Sequence, residues 1–208
     1  MKAHAEFNLG NCYLSKTNLT QASIHFKRAG KIYSNGNHVN KVADVLHLLG
    51  NIAKLSNDLD TSIAKLHDAG QIYIKTKNME GAWRIWDDLA RSYLAKSNAT
   101  GLTDEQRDVW AQHALDASLS AAYFAEQLWQ VALSSEGRMA DLSDQFANHT
   151  VTLSETALHF GRLDIFFGTL AYYKGRIRNS TNSSLPSYIE SEGELDDKLN
   201  DRLFGPIV

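Results

Sequence analysis

Leu9-Gly10-Asn11 returns as Leu49-Gly50-Asn51, and Ala29-Gly30-Lys31-Ile32-Tyr33 returns as Ala69-Gly70-Gln71-Ile72-Tyr73, both forty positions later. A further forty carries Leu9-Gly10-Asn11-Cys12-Tyr13-Leu14 onto Leu89-Ala90-Arg91-Ser92-Tyr93-Leu94, with Lys16 and Asn18 falling on Lys96 and Asn98. Three copies in one phase mark an internal repeat, and periods of this size belong to stacked supersecondary units.

Each unit reads as two helices. In the first, residues 2–16 carry Phe7, Leu9, Gly10, Tyr13 and Leu14, and residues 19–34 carry Ala22, Phe26, Ala29 and Tyr33 at helical spacing. Ser34-Asn35-Gly36-Asn37 reads as a helix stop with glycine in the left-handed position. The second unit repeats this over 40–56 and 59–75. Gly10, Gly50 and Ala90 are small where a partner helix must approach closely, as are Ala22, Ala29 and Ala69 from the other side. A single such pair cannot bury both its apolar faces, so units must stack.

Outside these units the pattern loosens. Residues 100–108 read as an insertion, Thr103-Asp104-Glu105-Gln106 as a helix start and 104–133 as a long helix. With the insertion allowed for, Ala111, Leu115 and Ser118 take the places of Ala22, Phe26 and Ala29. A helix is expected over 138–160, then a turn at 161–164 and a helix to Arg178 with an aromatic face (Ile165, Phe166, Phe167, Leu170, Tyr173). The repeat domain thus spans 1–178, in units of about 3–38, 39–78, 79–133 and 138–178, the last a capping pair. Residues 179–208 read as a linker and an acidic amphipathic tail.

Composition agrees with an all-α chain. The only prolines among 208 residues are Pro186 and Pro206, so 1–185 lack that helix breaker. A net charge of −3 gives no basic excess, which argues against nucleic acid. No apolar stretch is long enough for an integral membrane segment. The lone cysteine, Cys12, cannot close an internal disulfide, which points to a cytoplasmic protein. Between Asn11 and Tyr13 it is expected on a packed helix and inert. Asn18, Asn98, Asn148, Asn179 and Asn182 fit the glycosylation pattern, but Asn, Ser and Thr also gather at inter-helix turns and caps, where these residues are expected.

Trp86, Leu89, Ala90 and Tyr93 resemble the first-helix signature of the tetratricopeptide repeat, and Ala22, Phe26 and Ala29 resemble that of its second helix. The resemblance covers 3 to about 125. It implies a right-handed α-α superhelix, a TPR-like helical-hairpin solenoid with C-terminal capping helices, and a protein-binding scaffold or adaptor. Glu6 and Leu46 stand where the signature has tryptophan, and the usual terminal proline is missing. The resemblance further implies that the first helices line a concave groove for a protein or peptide segment. On that face lie His4, Phe7, Asn8, Asn11 and Leu14, then Asp44, His47, Asn51 and Lys54, then Arg84, Asp87, Asp88 and Arg91, with Asn11, Asn51 and Arg91 at equivalent positions as a polar ladder. Asn8, Asn11, His47, Asn51, Lys54, Arg84, Asp87 and Arg91 are the candidate binding residues. Members that bind acidic chaperone tails use a Lys/Asn/Arg set. The matching positions here are Phe7, Asn11, Leu48, Arg84 and Asp88, of which only Asn11 and Arg84 fit, and Asp88 would repel a carboxylate. A peptide-sensing regulatory domain and a SNAP-like membrane-fusion adaptor are alternative readings of the same repeat.

No phosphate-binding glycine loop, His-Glu-x-x-His or CxxC occurs. The eight histidines do not cluster at ligand spacing, and Asp87-Asp88 and Asp196-Asp197 are adjacent on helices and point apart. The expectation is therefore a non-enzyme without metal or cofactor.

Overall fold

The computed structural model describes residues 1–132, 151–159 and 161. The helix expected after the 161–164 turn, up to Arg178, the linker and the acidic tail lie outside the described residues, as does the first half of the helix over 138–160. Six helices follow in order: α1 (Lys2–Ser15), α2 (Leu19–Asn35), α3 (Val39–Leu55), α4 (Leu59–Lys75), α5 (Met79–Ser97) and α6 (Asp104–Ala132). Residues 151–159 are also helical, and no strand occurs among the described residues. None of the described helices is long and apolar enough to cross a membrane.

The helices end where the local chemistry ends them. Thr17, Asn37, Asn57 and Lys77 have φ between 54° and 59°. At each, the next amide donates back across the helix end: Asn18 to the Tyr13 carbonyl, His38 to Tyr33, Asp58 to Ala53 and Asn78 to Tyr73, each at 2.9 Å. This is a left-handed stop, and the donating residue is at once the cap of the following helix. Asn18, Asp58 and Asn78 accept from the amides of Gln21, Thr61 and Gly81. His38 makes no such bond. Asn18 is thus one of the sequon asparagines employed as a cap. The left-handed residue at the second turn is Asn37, not the expected Gly36, whose φ is −89°. Gly36 is the preceding C-cap, and asparagine tolerates the left-handed region well enough to take the turn.

The fifth connection is longer, as the insertion requires. Thr103 Oγ1 accepts from the Gln106 amide, and Gln106 Oε1 accepts from the Thr103 amide. The two bonds form a reciprocal capping box.

Each helix packs on the next, and α3 also touches α5. Small residues set the approach. A Cβ on Gly10 would stand 2.6 Å from the Phe26 ring, one on Gly50 2.9 Å from Leu66, and one on Gly81 2.5 Å from Tyr73. Ala22, Phe26 and Ala29 are fully buried, and Ala111, Leu115 and Ser118 are nearly so at 1%, 3% and 0% exposed. It is Ala114, Ala117 and Ala121, however, that share a core cluster with Leu89 and Ala90 of α5, whereas Leu115 clusters with residues 151–159. The helical segment 151–159 covers α6 through Leu153 and Ala157 against Leu115 and Ala122. There Thr156 donates to Ser118 Oγ at 3.4 Å.

The two ends of the stack differ. Leu9 is 44% exposed whereas its equivalent Leu89 is fully buried. Cys12 is exposed, contrary to the packed position expected for it, whereas Ile52 and Ser92 at the same repeat position are buried. The reason is geometric. α2 packs against α3 and α4 against α5, but among the described residues no helix packs on the corresponding side of α1.

Two stability changes of opposite sign are expected. Thr17→Gly relieves a β-branched residue of a left-handed backbone and should stabilise by about 1 kcal/mol. Gly50→Ala should cost about 1–3 kcal/mol through overpacking against Leu66. Urea midpoints read both, and a neutral Gly50→Ala would show that the α3–α4 approach is not close-limited.

Candidate functional site

The first helices of the three pairs, α1, α3 and α5, together with the end of α4, line a groove of about 450 Å³. Phe7, Leu48 and Tyr73 supply its apolar surface, and Gly81 lets the Tyr73 ring lie directly on the α5 backbone. Asn11, His47 and Arg84 also line it, with Lys41, Asp44 and Glu80.

The charges along the groove are paired within the chain. Lys41 Nζ meets Asp44 Oδ2 at 2.8 Å, and Arg84 meets Glu80 at 2.6 Å. The second Asp44 oxygen accepts from the Tyr73 hydroxyl at 2.7 Å. Burial, then this hydrogen bond, push the Tyr73 phenol far above its ordinary range, so it remains a donor at every physiological pH. The hydrogen bond to Asp44 likewise raises Lys41. Two cations facing two anions leave the groove close to neutral.

Beside the groove, where α3 meets α5, three of the expected site residues converge on a carboxylate. His47 Nε2 lies 2.6 Å and Asn51 Nδ2 3.0 Å from Asp88 Oδ2, while Lys54 Nζ lies 2.7 Å from Asp88 Oδ1. Positions 47, 51 and 54 are one helical face of α3, so the three donors stand in a row. An ionised carboxylate only accepts, so the His47 proton sits on Nε2. Burial alone would raise the Asp88 carboxyl. The His47 hydrogen bond and the Lys54 charge outweigh it and hold the group well below the usual carboxylate range.

The other residues expected on this face have separate fates. Asn8 is exposed and does not line the groove, whereas Asn11 is exposed and does. Arg91 is joined to Asp87 at 2.8 Å, one turn away on its own helix. Of the positions equivalent by repeat, Asn51 bonds Asp88 and Arg91 pairs with Asp87, so these two share no partner, while Asn11 lines the groove. Asn51 Oδ1 and Arg91 Nε are buried without a hydrogen-bond partner among the described residues. Phe7 and Asp44 line the groove as expected, and Lys41, Leu48, Tyr73 and Glu80 join the lining beyond the expected face. Tyr73 belongs to a second helix, whose contribution to the groove a face assignment on α1, α3 and α5 omits. Among the described residues no group of three or more His, Cys, Asp or Glu side chains could hold a metal ion.

No family model matches the chain, and no curated protein matches it.

Removing the Asp88 charge should be costly and pH-dependent. Asp88→Asn is expected to destabilise by about 3 kcal/mol near neutral pH, as breaking a largely buried ion pair does. Because its folded-state pKa is depressed, the wild-type contribution is present above about pH 4 and is lost as pH falls towards the folded-state value. Urea unfolding near neutrality and at about pH 3 should show the wild-type advantage shrinking at the lower pH. An equal advantage at both would rule out the carboxylate as its source.

Proposed function

We propose that the chain is a TPR-like protein-interaction scaffold, a right-handed superhelix of helical hairpins, that binds an extended polypeptide segment in the groove across α1, α3 and α5. The single observation that carries this reading is the groove itself. It combines apolar Phe7, Leu48 and Tyr73 with polar lining residues, and it is formed by the first helices α1, α3 and α5 together with the end of α4. Such a surface suits a segment that inserts one apolar or aromatic side chain and bonds through its backbone to Asn11 and the groove walls. The internal pairing of Lys41 with Asp44 and of Arg84 with Glu80 favours a ligand without a strong net charge.

Selection of binders from a random displayed-peptide library, followed by titration of the selected peptides, tests the assignment. Arg84→Glu and Asn11→Arg alter the groove wall at exposed positions and are expected to weaken binding at least about tenfold. Lys27→Glu, on exposed α2 surface away from the groove lining, should leave it unchanged. Peptides equally indifferent to all three substitutions would place the binding surface elsewhere.

A further inference from the structure

We propose that His47, Asn51 and Lys54 form a carboxylate-binding site that Asp88 fills in cis, and that Asp88 thereby sets the ligand specificity of the adjoining groove. The trio has the composition of an anion receptor. It offers a cationic ammonium, an imidazole N–H and an amide N–H, all from one face of α3. The carboxylate they hold comes from a different helix, with both of its oxygens engaged. From the standpoint of α3, Asp88 is a bound carboxylate on a one-carbon tether. The site is not sealed: the side chains of His47, Lys54 and Asp88 remain 16%, 23% and 19% exposed. A small solute can therefore reach it once the tethered group is gone.

His47 links this site to the groove, since it lines the groove and also donates to Asp88. While Asp88 is in place, all three groups are engaged with it and a carboxylate-bearing ligand would meet a negative charge beside them. The tether gives the internal carboxylate an effective concentration that a free acidic group cannot match. The groove is consequently closed to acidic segments by a residue outside its own lining. The existence of the cradle is independent of the scaffold reading, whereas its effect on ligand choice rests on that reading.

Substituting the tether tests the site by chemical complementation. Asp88→Ala removes one carboxylate group, the volume that formate replaces. Asp88→Gly also removes the Cβ, the volume of the acetate methyl. Near neutral pH, about 100 mM formate should raise the melting temperature of the alanine variant by about 3–6 °C over the same concentration of chloride, and shift the wild type by less than about 1 °C. Acetate should act better on the glycine variant than on the alanine variant. Adding Lys54→Met to Asp88→Ala should abolish the formate response. If either single variant is unfolded alone, recovery of a cooperative transition in its matching anion supports the site. Absence of any anion effect on both variants overturns it, as does an equal response of the wild type.

Displayed peptides separate the two readings. Acidic peptides that bind Asp88→Ala but not the wild type extend the cradle to ligand choice. A formate response with no peptide binding by either protein keeps the cradle and removes the groove reading. Peptide binding with no formate response does the reverse.

Discussion

At each of four chain reversals, the amide of a capping residue donates back to a carbonyl five residues earlier, across one residue held in the left-handed region. The same residue then begins the next helix. This joint allows only one geometry, and it recurs every twenty residues, at positions 18, 38, 58 and 78. Constant spacing makes α2, α3 and α4 equal at seventeen residues each. Alternate helices therefore return to the same side, and the groove exists because α1, α3 and α5 do so in register.

The same regularity explains where the core is tight. Gly10 against Phe26 and Gly50 against Leu66 are the same contact one unit apart, a backbone taking the place of a side chain so that a large residue lies on the helix. Each helix is buried from two sides only when a neighbour follows and another precedes it. That is why Leu89 is buried and Leu9 is not. Burial along the stack is a property of position in the array rather than of the residue itself, as expected of a structure held by nearest-neighbour interfaces.

The α3–α5 contact adds a polar constraint to this apolar one. A charge removed from water at Asp88 is tolerable because three donors meet it within 3.0 Å. Such a cluster holds two first helices at a fixed separation and fixes the width of the groove between them. It also withdraws His47, Asn51 and Lys54 from the free solvated face, so the groove's chemistry depends more on Phe7, Leu48, Tyr73 and its paired charges than on the polar positions of α3.

Much of this was legible in the residues alone. The forty-residue recurrence, the small residues at Gly10 and Gly50, and the Thr103–Gln106 cap determined the helices and their order, because these are local or periodic constraints. What the repeat could not determine was the use of each polar side chain. Asp88 lies 41, 37 and 34 residues from His47, Asn51 and Lys54, and taken by itself each is simply a hydrophilic residue on the outer face of its own helix. The exposure of Cys12 escaped for the same kind of reason, since its equivalents Ile52 and Ser92 are buried by helices that have no counterpart against α1 among the described residues. Helix periodicity settles which face a residue occupies, but only the packing of one helix on another decides which groups on that face find partners.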